Sequence, residues 1–336
     1  MLKVSIIIPV YNTEKYIVRC LDSIVEQECE NVSIECVLVD DCSSDNSMSL
    51  IQSFLNSYNG NIQFVVKKQA VNQGPASARN VGFDVSTGDY ILFVDSDDCL
   101  YPGSVQYMID EMKKYGSVDV IIGNLFHEEE NNNHFPTLKE NLYYPDNASI
   151  VETAFEDRLG FYSTNKLVRR RLLEENHISF VSGLLYEDIP WAVAVYLVAS
   201  TLLALPKNTY IYKYNESSIM HTMGSKADKT VKSLSYTVNY ILDEVTKSTE
   251  SRCCVFSLRL MMRAIDLKMR YSCSEEATVE LWKCRKRLHS VALKGHHYLL
   301  YIAFFLMYSP FYYLQYLSLF RHNYYRISRI LYKIGT

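Results

Sequence analysis

The chain has 336 residues, enough for two domains or one domain with a large appendage. At 48% hydrophobic and 21% charged residues it can fill a packed core, which excludes global disorder. The formal charge of −4 is uneven: residues 281–336 carry nine Lys or Arg and no acid, leaving −13 on the first 280, an acidic body that excludes nucleic acid as the expected partner and a basic tail suited to an anionic surface.

In chain order, residues 3–9 (KVSIIIP) form a continuous apolar run, the pattern of a strand buried on both faces. The run stops at Pro and Asn without a long apolar core or a small-residue cleavage site, so it reads as a first strand and not a secretory leader. Residues 14–28 place Tyr16/Ile17, Cys20/Leu21 and Ile24/Val25 at helical spacing. The pattern then predicts a strand over 33–39, a helix over 45–58 with Ser43 or Ser44 as N-cap, a strand over 62–66, a helix over 75–86 and a strand over 89–94. Residues 103–115 follow as a helix, 118–123 as a strand and 128–133 as a polar loop, and from about 226 helical patterns dominate. Strands alternating with helices of about 10–15 residues predict an α/β fold with a mostly parallel sheet. The nine cysteines contain no CxxC pair, which argues against a zinc ribbon, and their odd number fits a reducing compartment.

In such a sheet ligands bind beyond the carboxyl ends of the strands. Three polar clusters fall there: Tyr11-Asn12, Asp40-Asp41, and Asp95-Ser96-Asp97-Asp98 at the end of ILFVDSDDCL. Three carboxylates within four residues repel one another unless a cation or hydrogen-bond donors relieve them. A hard divalent cation, Mn²⁺ or Mg²⁺, held by few carboxylates and shared with phosphate oxygens, is the economical partner; a solvated, helix-capping turn is the alternative.

VSIIIPVYN (4–12), VLVDDCSSDNS (37–47), GPASARNVG (74–82), FVDSDD (93–98) and YEDIPW (186–191), in this order, resemble a family 2 glycosyltransferase of the GT-A fold and the bacterial capsule, O-antigen or exopolysaccharide type, over roughly residues 1–220. The resemblance implies a nucleotide-diphospho-sugar donor, a UDP-sugar by preference, a divalent metal and inversion at the anomeric carbon. By motif, Pro9, Tyr11 and Asp41 would cradle the nucleobase, with Tyr11 as a stacking face. Asp95, Ser96 and Asp97 form the DxD, Asp95 toward the ribose and Asp97 toward the metal, with Asp98 as an alternative ligand. Arg79 would meet the diphosphate or hold the acidic tip together.

Asp188 is the implied general base and Glu187 its supporting neighbour; the alternative for Asp188 is a cap on a helix starting near Pro190. Trp191 is read as an acceptor wall or a core aromatic, and Lys166, ahead of a basic run, as a phosphate contact or a solvated helix start. His221 is read as a late metal or phosphate ligand or a plain loop histidine. Cys42 stands where the family usually has Gly, which bears on the turn after Asp41.

The expected domains are therefore 1–225, the transferase, and 226–336, a helical region. Residues 298–320 hold no charged residue over 23 positions, with basic flanks, Pro310 and many tyrosines. This reads as a kinked or paired amphipathic segment on the inner face of a cell membrane, where a glycan or polyprenyl-linked acceptor would sit; a helical domain or homodimer interface and a true bilayer span are the alternatives. Two rival functions stand beside the transferase. A haloacid-dehalogenase-like phosphatase also places DxD after an apolar strand, but normally at the start of its fold. A non-catalytic membrane-associated assembly protein would not need the whole set Asp41, Asp95, Asp97 and Asp188. Nucleotide-binding GxGxxG and P-loop motifs are absent.

Overall fold

In the computed structural model, which describes residues 1–28, 31–128, 138–156, 158–213, 226–244 and 250–294, the N-terminal apolar run is the strand β1 (Leu2–Val10). Val4, Ile6, Ile7, Ile8 and Val10 are wholly buried, as a strand covered on both faces requires. β1 pairs in parallel with β2 (Val32–Asp40) on one side and β4 (Tyr90–Phe93) on the other, and β2 pairs in parallel with β3 (Gln63–Lys68). The helices α1 (Ile17–Val25), α2 (Ser47–Ser57) and α3 (Pro75–Val85) connect them. α3 packs against β1 and β2. Gly82 permits the approach: a Cβ there would lie 2.3 Å from Ile7 Cγ2.

The chain first moves outward through β2 and β3, then returns through α3 to β4 on the far side of β1. The strand order therefore reverses between β1 and β4, the place where open α/β sheets form a ligand crevice beyond the carboxyl ends of their strands. Beyond β4 come β5 (Cys99–Leu100), α4 (Ser104–Lys113), β6 (Val120–His127), β7 (Leu142–Tyr144), α5 (Asn147–Phe155), β8 (Lys166–Arg169), α6 (Arg170–Glu175), α7 (Asp188–Val198) and β9 (Leu202–Tyr212). The strands run in the order β3-β2-β1-β4-β8-β6-β9-β5, with β7 also on β9.

Two expectations are corrected. The sheet is mixed and not mostly parallel: β8 is antiparallel to β4 and β6, and β9 to β5 and β7, while β6 and β9 are parallel. The N-cap of α2 is not Ser43 or Ser44. Asp45 Oδ1 accepts from Ser47 N at 3.0 Å, and Glu14 Oε2 accepts from Asn46 N at 3.0 Å. A carboxylate satisfies the orphan amides of a helix start and also suits its dipole. Ser43 and Ser44 instead lash two loops together, Ser43 Oγ accepting from Asn12 N at 3.2 Å and Ser44 N donating to Asn12 Oδ1 at 2.8 Å.

The chain divides into two compact units, Met1–His221 and Thr222–Thr336. In the second, α8 (Ala227–Glu244), α9 (Glu250–Arg270) and α10 (Glu275–Lys294) pack on one another. Val231, Leu234, Val238 and Ile241 on α8 and Ala277, Leu281, Cys284 and Leu288 on α10 are buried. Their alternating spacing of three and four residues puts each set on one stripe of its helix. No helix among the described residues is long and apolar enough to cross a membrane. Segment 298–320 and its basic flanks beyond it, like His221, lie outside the described residues.

Candidate active site

The acidic tip follows β4 directly and turns back on itself, Asp98 N donating to Asp95 O at 3.0 Å. Asp98 is 2% exposed. Its Oδ2 accepts from Tyr210 Oη at 2.7 Å and its Oδ1 from Lys213 N at 2.8 Å. Burial first, then Asp97 and Asp95, push the Asp98 carboxyl well above its usual range. Both Asp98 oxygens face protein donors, so the carboxylate that was a candidate metal ligand serves as a strut inside the turn. Asp95 and Asp97 are half-buried and Ser96 is buried. The Asp97 carbonyl accepts from Arg19 Nη2 at 3.0 Å.

Arg79 joins the tip to a distant segment. The buried guanidinium donates from Nη2 to Asp95 Oδ1 at 2.6 Å and from Nη1 to Glu187 Oε1 at 2.7 Å, with its Cζ 5.3 Å from the centroid of the Phe180 ring. Burial alone would lower its pKa; Asp95 and Glu187 more than offset that and hold it above its usual value. Asn80, next on α3, donates to Phe180 O and accepts from Phe180 N, both at 2.9 Å, so α3 fixes this segment by backbone as well as by charge.

Glu187 is buried, and Asp188 is half-buried at the first turn of α7. The N-cap residue of that helix, Glu187, makes no side-chain cap hydrogen bond. Burial, then the Glu187 carboxylate, push the Asp188 pKa up to about 7, with Arg79 pulling the other way. A carboxylate poised there can take a proton near neutral pH.

At the other end of the crevice Tyr11 is 48% exposed and Pro9 half-buried. Asp41 is buried; it accepts from Gln69 Nε2 and Gln73 N at 2.8 Å and from Gly74 N at 2.7 Å. It thereby holds the loop that enters α3. Among the described residues, four of the five non-glycine residues with left-handed backbone flank candidate residues: Asn12, Cys42, Asn165 and Tyr186, with φ of 52°, 63°, 56° and 58°. Cys42 adopts a left-handed, glycine-like conformation although it carries a side chain. Such strain persists only where the surroundings impose it, and it clusters at functional sites.

Two further expectations are corrected. Trp191 is 2% exposed, stacked on Phe180 at 5.0 Å and edge-on to Phe93 at 5.5 Å, so it fills core and presents no wall. Lys166 lies on β8 with no exposed surface; it neither starts a helix nor reaches a phosphate in solvent. Its Nζ has no hydrogen-bond partner and sits 3.7 Å from the Tyr162 ring centroid. Burial pulls its pKa down to about 7 against the attraction of Asp188.

The unfolded chain binds this proton more tightly than the folded one between about pH 7 and 10, so the burial costs most below pH 7 and fades as pH rises. Lys166→Met should raise the melting temperature at pH 6 by much more than at pH 10, a gain of up to ~4 kcal/mol. Equal shifts at both pH values in a thermal melt series would remove the buried amine as the cause.

Sequence reasoning missed Tyr210, Arg19, Gln69 and Phe180. None sits in a recognisable motif, and each meets the site only through the sheet or a loop return.

The chain matches the model of "Glycosyl transferase family 2" over residues 5–176, more than half its length. It is 31% identical over 228 residues to the glycosyltransferase GlyG of Streptococcus pneumoniae, covering 65% of this chain and 73% of that one. It is 29% identical over 217 residues to the poly(ribitol-phosphate) beta-N-acetylglucosaminyltransferase TarS of Staphylococcus aureus, covering 63% and 35%. The chain thus spans about a third of TarS. The crystal structure of S. aureus TarS 1–349 in complex with UDP-GlcNAc superposes with a TM-score of 0.69 at 21% identity, covering 86% and 81%, which shows the same GT-A-like α/β fold. With an acidic tip at the strand reversal and a family match over half the sequence, the chain belongs to glycosyl transferase family 2 and is a glycosyltransferase.

Proposed function

We propose that the protein transfers a sugar from a nucleoside-diphosphate donor, best supported as a UDP-sugar, to a hydroxyl of a glycan or lipid-linked glycan, with inversion. The observation that carries this is the Arg79 bridge: one guanidinium binds Asp95 of the tip and Glu187, the neighbour of Asp188. Groups suited to a diphosphate leaving group and a carboxylate suited to an incoming hydroxyl are therefore fixed on one frame. The UDP-GlcNAc complex of TarS supports the choice of donor.

In the step itself, the acceptor oxygen bonds to the anomeric carbon as the bond from that carbon to the phosphate oxygen breaks. Asp188 takes the hydroxyl proton, and the nucleoside diphosphate leaves with the electron pair. Tyr11 offers an exposed ring to the base, beside Pro9 and the Asp41-held loop. Asp95 would face the ribose, with Ser96 buried in the turn behind.

Among the described residues no group of three or more His, Cys, Asp or Glu could hold a metal ion. Mg²⁺ and Mn²⁺ in nucleotide enzymes are commonly held by one or two carboxylates and completed by phosphate oxygens, and the half-buried Asp97 fits that donor set. Bound there, such an ion would stabilise the charge growing on the diphosphate.

The acid test is thermal melting of wild type and Asp97→Ala with UDP, GDP, CMP and dTDP, with and without Mn²⁺. A wild-type shift with UDP that needs Mn²⁺ and vanishes in the variant is expected, about 2.7 kcal/mol at a hundredfold excess over Kd. No shift with any nucleotide would sink the donor reading.

The basic tail supports a peripheral place on the inner face of the membrane in capsule, O-antigen or exopolysaccharide assembly. Removing the residues beyond 294 leaves α10 whole and should move the protein from the membrane to the soluble fraction on flotation. An unchanged distribution would favour the homodimer or helical-domain role for that segment.

A further inference from the structure

We propose that Tyr210 is a positioning residue of the donor site, its hydroxyl holding the Asp95–Asp98 turn in the shape that presents Asp97. The inference rests on the donor reading given above and adds to it a residue outside every motif.

The turn is only four residues long and carries three carboxylates. Left to itself it would open to separate the charges. Two elements prevent this. On one flank is β9. The wholly buried Tyr210 Oη accepts from Asp95 N at 3.2 Å and donates to Asp98 Oδ2 at 2.7 Å, so one oxygen spans the first and last residues of the turn. Lys213, three residues on, donates its backbone N–H to the other Asp98 oxygen at 2.8 Å. On the opposite flank is α1. Arg19 Nη2 donates to Asp97 O at 3.0 Å, and Cys20 Sγ contacts Asp95 O at 3.7 Å.

The topology explains how Tyr210 reaches this place. The two-residue strand β5 begins immediately after the tip and pairs antiparallel with β9, Cys99 opposite Ile211 and Leu100 opposite Tyr210. That register sets the phenol beneath the turn. Burial, then Asp98, keep its pKa well above the usual value, so the hydroxyl retains the proton it donates.

Groups that orient a ligating carboxylate are worth about 10–100-fold in metal affinity when removed. A tyrosine that only fills core would behave otherwise: its loss of the hydroxyl would lower stability and leave ion dependence alone. The experiment is a Mn²⁺ titration at fixed UDP, read by thermal melting of the full chain, on wild type, Y210F, D98A and D98N. Y210F should need about 10–100-fold more Mn²⁺ for half the UDP-dependent shift. D98A removes the same strut from the other side and should match it. D98N keeps an acceptor for Lys213 N–H and a polar partner for Tyr210 Oη, and should recover most of the D98A loss.

A Y210F midpoint within about threefold of wild type overturns the proposal. So do D98A and D98N that respond alike, and this comparison decides the matter even if Y210F does not fold. A wild type with no Mn²⁺-dependent UDP shift overturns the metal part of the donor reading and this inference with it. A responsive wild type with indifferent variants overturns only the role of Tyr210.

Discussion

Asp188→Asn should lower transfer by about 10²–10⁴-fold while raising the melting temperature above pH 7. The first effect follows from removing the group proposed to accept the hydroxyl proton; the amide is nearly isosteric and has no basic oxygen at neutral pH. The second follows from linkage. The Asp188 pKa is pushed up to about 7 from an ordinary 3.8, chiefly by burial and then by Glu187. Between about pH 4 and 7 the folded chain therefore holds a proton that the unfolded chain has lost, and stability falls as pH rises through that window. Above pH 7 the full cost of the ionised carboxylate is present, and Asn removes it, a gain of order ~2–4 kcal/mol. Below pH 4 both forms are neutral and the gain disappears.

The two effects together separate the base from a helix-start residue. An Asp at the first turn that served only the helix dipole would lose about 0.3–1 kcal/mol on neutralisation, so its variant would melt lower at neutral pH. Transfer assays paired with melts at pH 4 and pH 8 supply the comparison. A lower melting temperature at pH 8 with retained transfer would return Asp188 to the capping role. Opposed effects on activity and stability are what a strained catalytic group produces, since the site keeps a charge that the fold alone would reject.

The sequence announced the left half of the sheet far better than the right. β1, β2 and β4 are continuous apolar runs because they are buried on both faces, and their ends carry the polar clusters that line the crevice. β5 has two residues and β8 four, too short for any period to show, and their antiparallel pairing is imposed by neighbours distant in the chain. Lys166 illustrates the limit. The basic run after it suggests a helix, and α6 does begin at Arg170, but the four residues before it are drawn into a strand between β4 and β6.

The tip's carboxylates were legible as a cluster, yet their division of labour was not. Asp98 differs from Asp97 through partners 112 and 115 residues away, and nothing in YIYKY marks Tyr210. Trp191 was ambiguous for a similar reason. Pro190, Trp191, Ala192, Val193, Val195 and Tyr196 are all buried, so α7 shows no polar face from which the aromatic's direction could be inferred.

Arg79→Met should be the most destabilising single change in the crevice, costing about 3 kcal/mol of stability, and should also cost at least about a hundredfold in transfer. Methionine fills the volume but leaves two carboxylates without their cation. The Glu187 end weighs more, because its side chain is 12% exposed whereas that of Asp95 is 35% exposed and can regain water. Removing one partner of a buried ion pair costs more than the pair contributes, since the remaining charge stays buried.

The loss of transfer has a separate origin. Without the bridge, the tip and the segment bearing Asp188 are no longer held at one spacing, and a displacement of about 1 Å is enough for a hundredfold loss. Arg79→Lys divides the two contributions. The ammonium restores the charge and part of the stability, but a single point donor cannot reproduce two divergent bonds of 2.6 and 2.7 Å from a planar fork. Denaturant melts and transfer rates on both variants test this. If lysine restores transfer fully, the bridge acts through charge alone and the geometric role fails. If methionine melts like wild type, Glu187 is not the buried, dependent partner described here.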